Sequence, residues 1–475
     1  MMTGTAIAPT KPRSSAYNFD PGLLQARAAD LPGMEGLYIN ELFPDVPPPI
    51  RAESAEQLRN RIKNETLKQL QNVDFSKIGA RDTVNILASH HGFSVYGGEA
   101  YVELIKTVKE EIERRCGTQE IRLVAGVGLR YRETEEYIQK FGLGDHFNGK
   151  AWGICPVDEG IPIETEIGTL YGLRRAYSSR WIIHTHNNDI RELHYHRQIG
   201  RLLKPFSMSY ARIETRSLYH QSMGSRSANL LPRMIFNSQF VQNKFVCSVI
   251  LQLAPTGIIG VSASSDLIKQ DADFTRMNLS WFGKIITLLS KVKDAIVVID
   301  YPGPLPYTTA GGILFGNFLN ANVDEFDLTV PFPAFNRYTD SLYPEETPLY
   351  QGELPPLNPA IRALVINYCS KGWPGVFVAQ QLPTVVVGPQ AEFLSSCEQN
   401  RTFMNNALKA NSLHEAMAFA KRSARTADVL VFDGAVGGFN VSKELAAKLR
   451  NWAPTVSREV DEVLMPRWLE QRGIA

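Results

Sequence analysis

The sequence predicts an α/β protein, with two doubly wound α/β domains facing across a cleft. Three observations predict it. Apolar, β-branched runs alternate with amphipathic stretches of helical period, once from about residue 82 and again from about residue 294. Most strand-like runs close on a glycine-bearing turn, the pattern of a parallel sheet with crossover helices. The chain has 475 residues, more than one ordinary core holds, so two or three domains are expected.

The elements follow in order. Residues 1–50 are rich in Pro and Gly and end in FPDVPPPIR, which predicts an extended N-terminal arm with little structure of its own. AESAEQLRNRIKNETLKQLQNV, 52–73, has helical period and Ser54 as its cap. DTVNILASHHGF is a strand running into a loop, and GGEAYVELIKTVKEEIERRC, 97–116, is an amphipathic helix after a glycine pair. IRLVAGVGLRYR is a second strand and turn, followed by the helix ETEEYIQKFG. Short strands lead to Trp181, VCSVILQLAPTGIIGVSA (246–263) reads as one or two buried strands, and DADFTRMNLSWFGKIITLLSKV is a helix. DAIVVIDYPG opens the second alternation as a buried strand before the Gly-rich loop PGPLPYTTAGGILFGNF. After it, PLNPAIRALVINYCSKGW is expected as a helix, GVFVAQQ and PTVVVGP as strands, SLHEAMAFAKRSA as a helix and ADVLVFDGAVGGF as a strand with its loop. NWAPTVSREVDEVLMPRWLEQR is a closing helix. The expected domains are the arm 1–50, an N-terminal domain 51–288, a C-terminal α/β domain 289–440 and a helical segment 441–475.

Composition narrows the class. Fifty basic against 49 acidic side chains argue against a general nucleic-acid binder. Five scattered cysteines without a CxxC fit a reduced, cytoplasmic protein and supply no thiolate metal site. The start lacks an apolar core of signal-peptide length, and no apolar run reaches the ~18 residues of a membrane span. Hydrophobic content of 44% is ordinary for a soluble globular enzyme, and homo-oligomerisation is left open.

Function concentrates in Trp181–Arg233. Five of the nine histidines lie there (His184, His186, His194, His196, His220), with Lys204 and seven arginines. Imidazole is the usual neutral metal ligand and acid or base near pH 7, and the arginine fork matches carboxylates. Such a segment suits an anionic ligand beside a proton-transfer or metal centre; a solvated basic face is the bland alternative. His184 and His186 share one face if WIIHTH is a strand. SHHG (89–92) and AGVGLR (125–130) fall at strand carboxyl ends, where doubly wound sheets bind ligands.

These residues resemble the nickel-pincer lactate racemase family over roughly 80–320. AGVGLRYRETEE is similar to its strand, Gly turn, Thr and Glu. IIHTHNND is similar to its strand ending in histidine, with His186 at that position. Lys204 and His220 are sixteen apart (220 − 204), the family's spacing for the cofactor-bearing lysine and a nickel-binding histidine. The resemblance implies a racemase or epimerase of a 2-hydroxy acid or sugar acid. It would work by hydride transfer to a nickel-pincer nucleotide held through Lys204, with His220 on the metal and His186 handling the hydroxyl proton. Where the family has Gly-x-His this chain has Gly128-Leu129-Arg130, and arginine is no general base near neutral pH. Arg130 is instead expected to pair with a substrate carboxylate. SHHGF stands where the racemase has Asp-His-Thr-Arg, and no Gly-Gly precedes Lys204. His90, His91, Gly311 and Gly312 complete the candidate cofactor-binding set, the glycines by backbone N–H groups. Two other classes stay open: a lyase or hydrolase with a divalent metal on His184 and His186, and a binding protein for a carboxylate or nucleotide. His146 and His414 read as structural or surface residues.

Overall fold

The runs VNILAS, IRLVAG and WIIHTHN are buried at almost every position, as expected of parallel strands covered on both faces. The computed structural model describes residues 26–94, 98–127, 132–188, 202–219, 224–300, 324, 326–329, 357–369, 378–396, 398–433 and 435–474. In chain order the strands of its first half are β1 (Met34–Tyr38), β2 (Val84–Ser89), β3 (Ile121–Gly126), β4 (Ala151–Ile154), β5 (Gly160–Thr165), β6 (Gly168–Leu173), β7 (Trp181–Asn187), β8 (Phe245–Ala254) and β9 (Gly257–Ser264). Those of the second half are β10 (Ala295–Asp300), β11 (Ile361–Tyr368), β12 (Thr384–Val387), β13 (Leu408–Ala410), β14 (Val429–Phe432) and β15 (Gly438–Ser442).

The protein is α/β. One six-stranded sheet has the order β4-β3-β2-β7-β8-β9, parallel except for β9. A seven-stranded sheet has the order β1-β15-β14-β10-β11-β12-β13, parallel from β14 to β13. β5 and β6 form a separate hairpin. Both sheets are wound alike. The chain leaves β2 toward β3 and β4, then returns on the other flank of β2 as β7. It leaves β10 toward β11, β12 and β13, then returns beside β10 as β14. At such a reversal neighbouring loops diverge and open a crevice at the strands' carboxyl ends.

Helices cover the sheets through apolar stripes. In Glu99–Cys116, Tyr101, Leu104, Ile105, Val108 and Ile112 recur at helical spacing and are fully buried. Each such burial contributes about 1.5–3 kcal/mol over exposure. Gly117, at φ 72°, ends the helix with its N–H on the Glu113 carbonyl. Ser54 caps Ala55–Leu70 by accepting from the Gln57 N–H.

Several expectations need correction. The arm has more structure than its composition suggests: β1 pairs antiparallel with β15 and adds an edge strand to the second sheet. Its Ala28 N–H and Arg27 Nε donate to Asp300 at the end of β10, at 2.8 and 3.3 Å, so the arm lies against the carboxyl end of that strand. The boundary expected after residue 288 falls inside the helix Leu267–Ser290. Leu267 and Phe274 pack with Phe206 and Tyr210 of the first half, whereas Leu279, Phe282, Ile285 and Leu288 pack with the second sheet. Lys284 of this helix is buried and bridges Asp45 of the arm and Asp461 near the C-terminus, at 2.6 and 2.9 Å. The stretch expected as a helix around residue 361 is strand β11, because residues 363–368 are all buried between β10 and β12. Val378–Gln381, expected within a strand, is a short helix. Among the described residues no helix is long and apolar enough to cross a membrane.

Candidate functional site

The first sheet reverses its strand order between β2 and β7, the place where doubly wound sheets bind ligands. Leu87 pairs with His184 across these strands, so two residues further on Ser89 reaches His186. Ser89 Oγ and His186 Nδ1 are 2.9 Å apart, and both residues are fully buried. His90 and His91 follow at once in the short helix His90–Ser94. The imidazoles form a row: ring centroids are 3.6 Å apart for His90 and His91, 6.2 Å for His91 and His186, and 5.9 Å for His186 and His184. Strand alternation puts the last two on one face, as the HTH spacing predicts.

Small residues let the walls close on this row. A Cβ on Gly92 would lie 2.2 Å from the Tyr101 ring, so only glycine lets the His90–Ser94 turn rest there. The Tyr101 hydroxyl in turn bonds to the Thr185 carbonyl and hydroxyl at 2.9 and 2.8 Å, and Thr185 Oγ1 donates to the Leu87 carbonyl. Burial pushes the Tyr101 phenol well above its usual range. On the other side, a Cβ on Gly126 would lie 2.2 Å from the Ser209 carbonyl oxygen. The segment 202–211 is therefore laid directly on the end of β3. Asp271 anchors it by accepting from the Leu202 N–H at 3.0 Å. Burial pushes the Asp271 carboxyl up to about 6, with that N–H and Arg233, 3.7 Å away, pulling the other way.

His184 belongs to the scaffold. Its Nε2 is 2.9 Å from the Leu202 carbonyl, which only accepts, so Nε2 carries the ring proton. Nδ1 then accepts from the Tyr210 hydroxyl at 3.2 Å. Burial lowers the ring's pKa to about 3, so it stays neutral. With both nitrogens engaged His184 has none to give a metal, which corrects the reading that set it beside His186 as a ligand. Among the described residues no three His, Cys, Asp or Glu side chains converge as a metal site.

Lys204 begins the short helix Lys204–Ser207 and is 7% exposed. Its chain neighbours Leu202 and Phe206 both touch His184, through the Leu202 carbonyl and at 5.2 Å between rings. The structure thus brings His90, His91 and His186 together and lays the Lys204 segment beside them. Arg130, His220, Gly311, Gly312, His194 and His196 lie outside the described residues. His146 sits in Leu143–His146, 4.0 Å from Glu110, and His414 is exposed near the start of Leu413–Ala424. Sequence reasoning missed the roles of Ser89, Tyr210 and Asp271. Ser89 is adjacent to a singled-out pair, but only the β2–β7 register reveals its partner. Tyr210 and Asp271 carry no local signal.

Compared with models of known families and with curated proteins, the chain matches none.

Proposed function

We propose that this chain is a lactate racemase-like isomerase, a racemase or epimerase of a 2-hydroxy acid or sugar acid that works with a nickel-pincer nucleotide. The observation that supports this reading is the imidazole row His90–His91–His186 at the first sheet's reversal point, beside the segment that carries buried Lys204. Lys204 fits the group on chemical grounds. Its primary amine is the group that an amide-type linkage to the cofactor requires. Lys204 and His220 would hold the group, which when bound supplies an acceptor for the carbon-bound hydrogen as hydride. The chain's own part is binding and proton handling. Arg130 would pair with the substrate carboxylate, Gly311 and Gly312 would offer backbone N–H groups, and His186 would meet the C2 oxygen, with His90 and His91 completing the pocket.

The test is metal analysis and intact-mass measurement on protein made with and without the cofactor-building enzymes. Supplied protein should carry about one nickel per chain and a mass adduct on Lys204, and turn over a 2-hydroxy acid. His220→Ala should lose the metal, whereas His186→Ala should keep it and lose turnover. Neither nickel nor adduct, with no turnover of a panel of 2-hydroxy acids, would overturn the proposal in favour of another enzyme or a carboxylate-binding protein.

A further inference from the structure

We infer that the cavity on one face of the first sheet, near the amino ends of β2, β3 and β4, is a second ligand site, built for a small phosphate monoester that carries a hydroxyl group. Arg122, Lys150 and Arg175 would hold the phosphate, and Asn85 would accept from the hydroxyl. This inference is independent of the reaction proposed above.

Strand register builds the floor. Asn85, Leu87 and Ser89 alternate onto one face of β2. Asn85 pairs with Arg122 of β3, and Val124, two residues on, pairs with Trp152 of β4. These four side chains share that face and line a cavity of about 380 Å³. Small-molecule sites begin at about 300 Å³. The cavity is separate from the imidazole row. Asn85 and Ser89 are four residues apart on β2, roughly 13 Å at ~3.3 Å each. The fully buried Leu87 lies between them.

The rim is cationic. Arg122, Lys150 and Arg175 line the cavity with one carboxylate, Glu120, which leaves two positive charges. Lys150 holds Glu120 at 2.8 Å, whereas Arg122 is 3.8 Å from it, a long pair that does not fill the guanidinium's donors. Arg175 is stacked over the Trp152 ring at 5.1 Å, which restricts the sweep of its side chain. Arginine forks match phosphate oxygens bidentately. A phosphate monoester near neutral pH carries about two negative charges, the number that the rim leaves unmatched.

Asn85 adds the second requirement. Its side-chain nitrogen donates to the carbonyls of Arg175 and Ala176, at 2.9 Å each. Carbonyls only accept, so this orientation of the amide is the one that serves both. The same two bonds fix the backbone that carries Arg175, so floor and rim are one unit. Asn85 is fully buried, and its Oδ1 has no donor among the described residues. A buried acceptor left unmet costs about 1–3 kcal/mol. Because Asn85 lines the cavity, a ligand hydroxyl supplies the donor it lacks. That oxygen is covered, so the hydroxyl reaches it as rim side chains change rotamer, as they commonly do on binding.

The experiment is titration calorimetry on the full chain with glycerol 3-phosphate and with propyl phosphate, which lacks the hydroxyls. Glycerol 3-phosphate should bind at one site per chain with a Kd below about 1 mM. Propyl phosphate should bind about tenfold more weakly, the scale of one buried acceptor satisfied. Arg122→Gln and Arg175→Gln should each weaken glycerol 3-phosphate at least about tenfold. Lys293→Gln, which removes an exposed charge next to β10 of the other sheet, should leave it unchanged. No binding up to about 10 mM overturns the inference. So does binding that survives both arginine variants, which places the ester elsewhere, or an equal loss in Lys293→Gln, which shows general charge attraction. Equal affinity for the two esters overturns the Asn85 contact. If an arginine variant does not fold, the comparison of the two esters on the wild-type chain still decides.

Discussion

Replacing Gly126 by alanine tests whether the segment carrying Lys204 is truly seated on the first sheet. The new Cβ would stand 2.2 Å from the Ser209 carbonyl oxygen and 2.7 Å from its carbon, against 3.4 Å for ordinary contact. The neighbour is backbone, so it cannot swing aside as a side chain would, and it must withdraw by 3.4 − 2.2, about 1.2 Å. That distance is enough to break the bond from Leu173 N–H to the Tyr210 carbonyl, now 2.8 Å, and to loosen Tyr210 from His184. Overpacking costs about 1–3 kcal/mol and each lost hydrogen bond about 0.5–1.5 kcal/mol. Alanine returns about 0.5–1 kcal/mol through its smaller entropy loss. The net expectation is a loss of roughly 2–3 kcal/mol, read from urea unfolding at constant m. Labelling of Lys204 by an amine reagent, followed by mass spectrometry, should speed up in parallel. Gly144→Ala is the control, since nothing lies within 4 Å of a Cβ there and its φ is not positive. If the two variants unfold within about 0.5 kcal/mol of each other and label Lys204 equally, the close approach of the segment to β3 is refuted.

Three further outcomes are expected. The folded-state carboxyl of Asp271 is raised from 3.8 to about 6, so its ionisation opposes folding; that penalty is absent below 3.8, grows through the window and is complete above about 6. Asp271→Asn keeps an acceptor for the Leu202 N–H, so its stability relative to wild type should improve by about 2 kcal/mol between pH 4.5 and 7.5, and a pH-independent difference would count against the assignment. His184 is lowered from 6.5 to about 3, so its contribution is present above 6.5 and is lost as pH falls toward 3. Its ring resonances should stay fixed from pH 8 to 5, and a midpoint above 5 would contradict the buried, neutral tautomer. Tyr210→Phe should cost about 1–3 kcal/mol in urea unfolding by stranding His184 Nδ1; a cost under 0.5 kcal/mol would show that the 3.2 Å contact contributes little.

The fold class was legible because parallel strands covered on both faces are largely apolar, and VNILAS, IRLVAG and AIVVID are nearly so, while WIIHTHN opens on the apolar run WII. Helix ends at Ser54 and Gly117 were equally local, set by a capping oxygen and a left-handed residue. The β11 run was misread because a short buried apolar stretch has no period that separates strand from helix. The arm was underread for a related reason: Met34–Tyr38 becomes a strand because β15 offers an unpaired edge, and an edge is a property of the folded sheet.

The candidate site divides the same way. Imidazole density and a strand-end position, both written in the chain, marked His90, His91 and His186, and the family resemblance marked Lys204. What each histidine does was decided by residues far away in sequence. Leu202 and Tyr210 make His184 a scaffold residue, and Ser89, 97 positions from His186, holds the ring of the other. The physical reason is that a side chain's type sets which chemistry it can perform. Its tautomer, charge and access are set by the hydrogen-bond partners and burial that only the register of β2 against β7 and the seating of 202–211 on Gly126 supply.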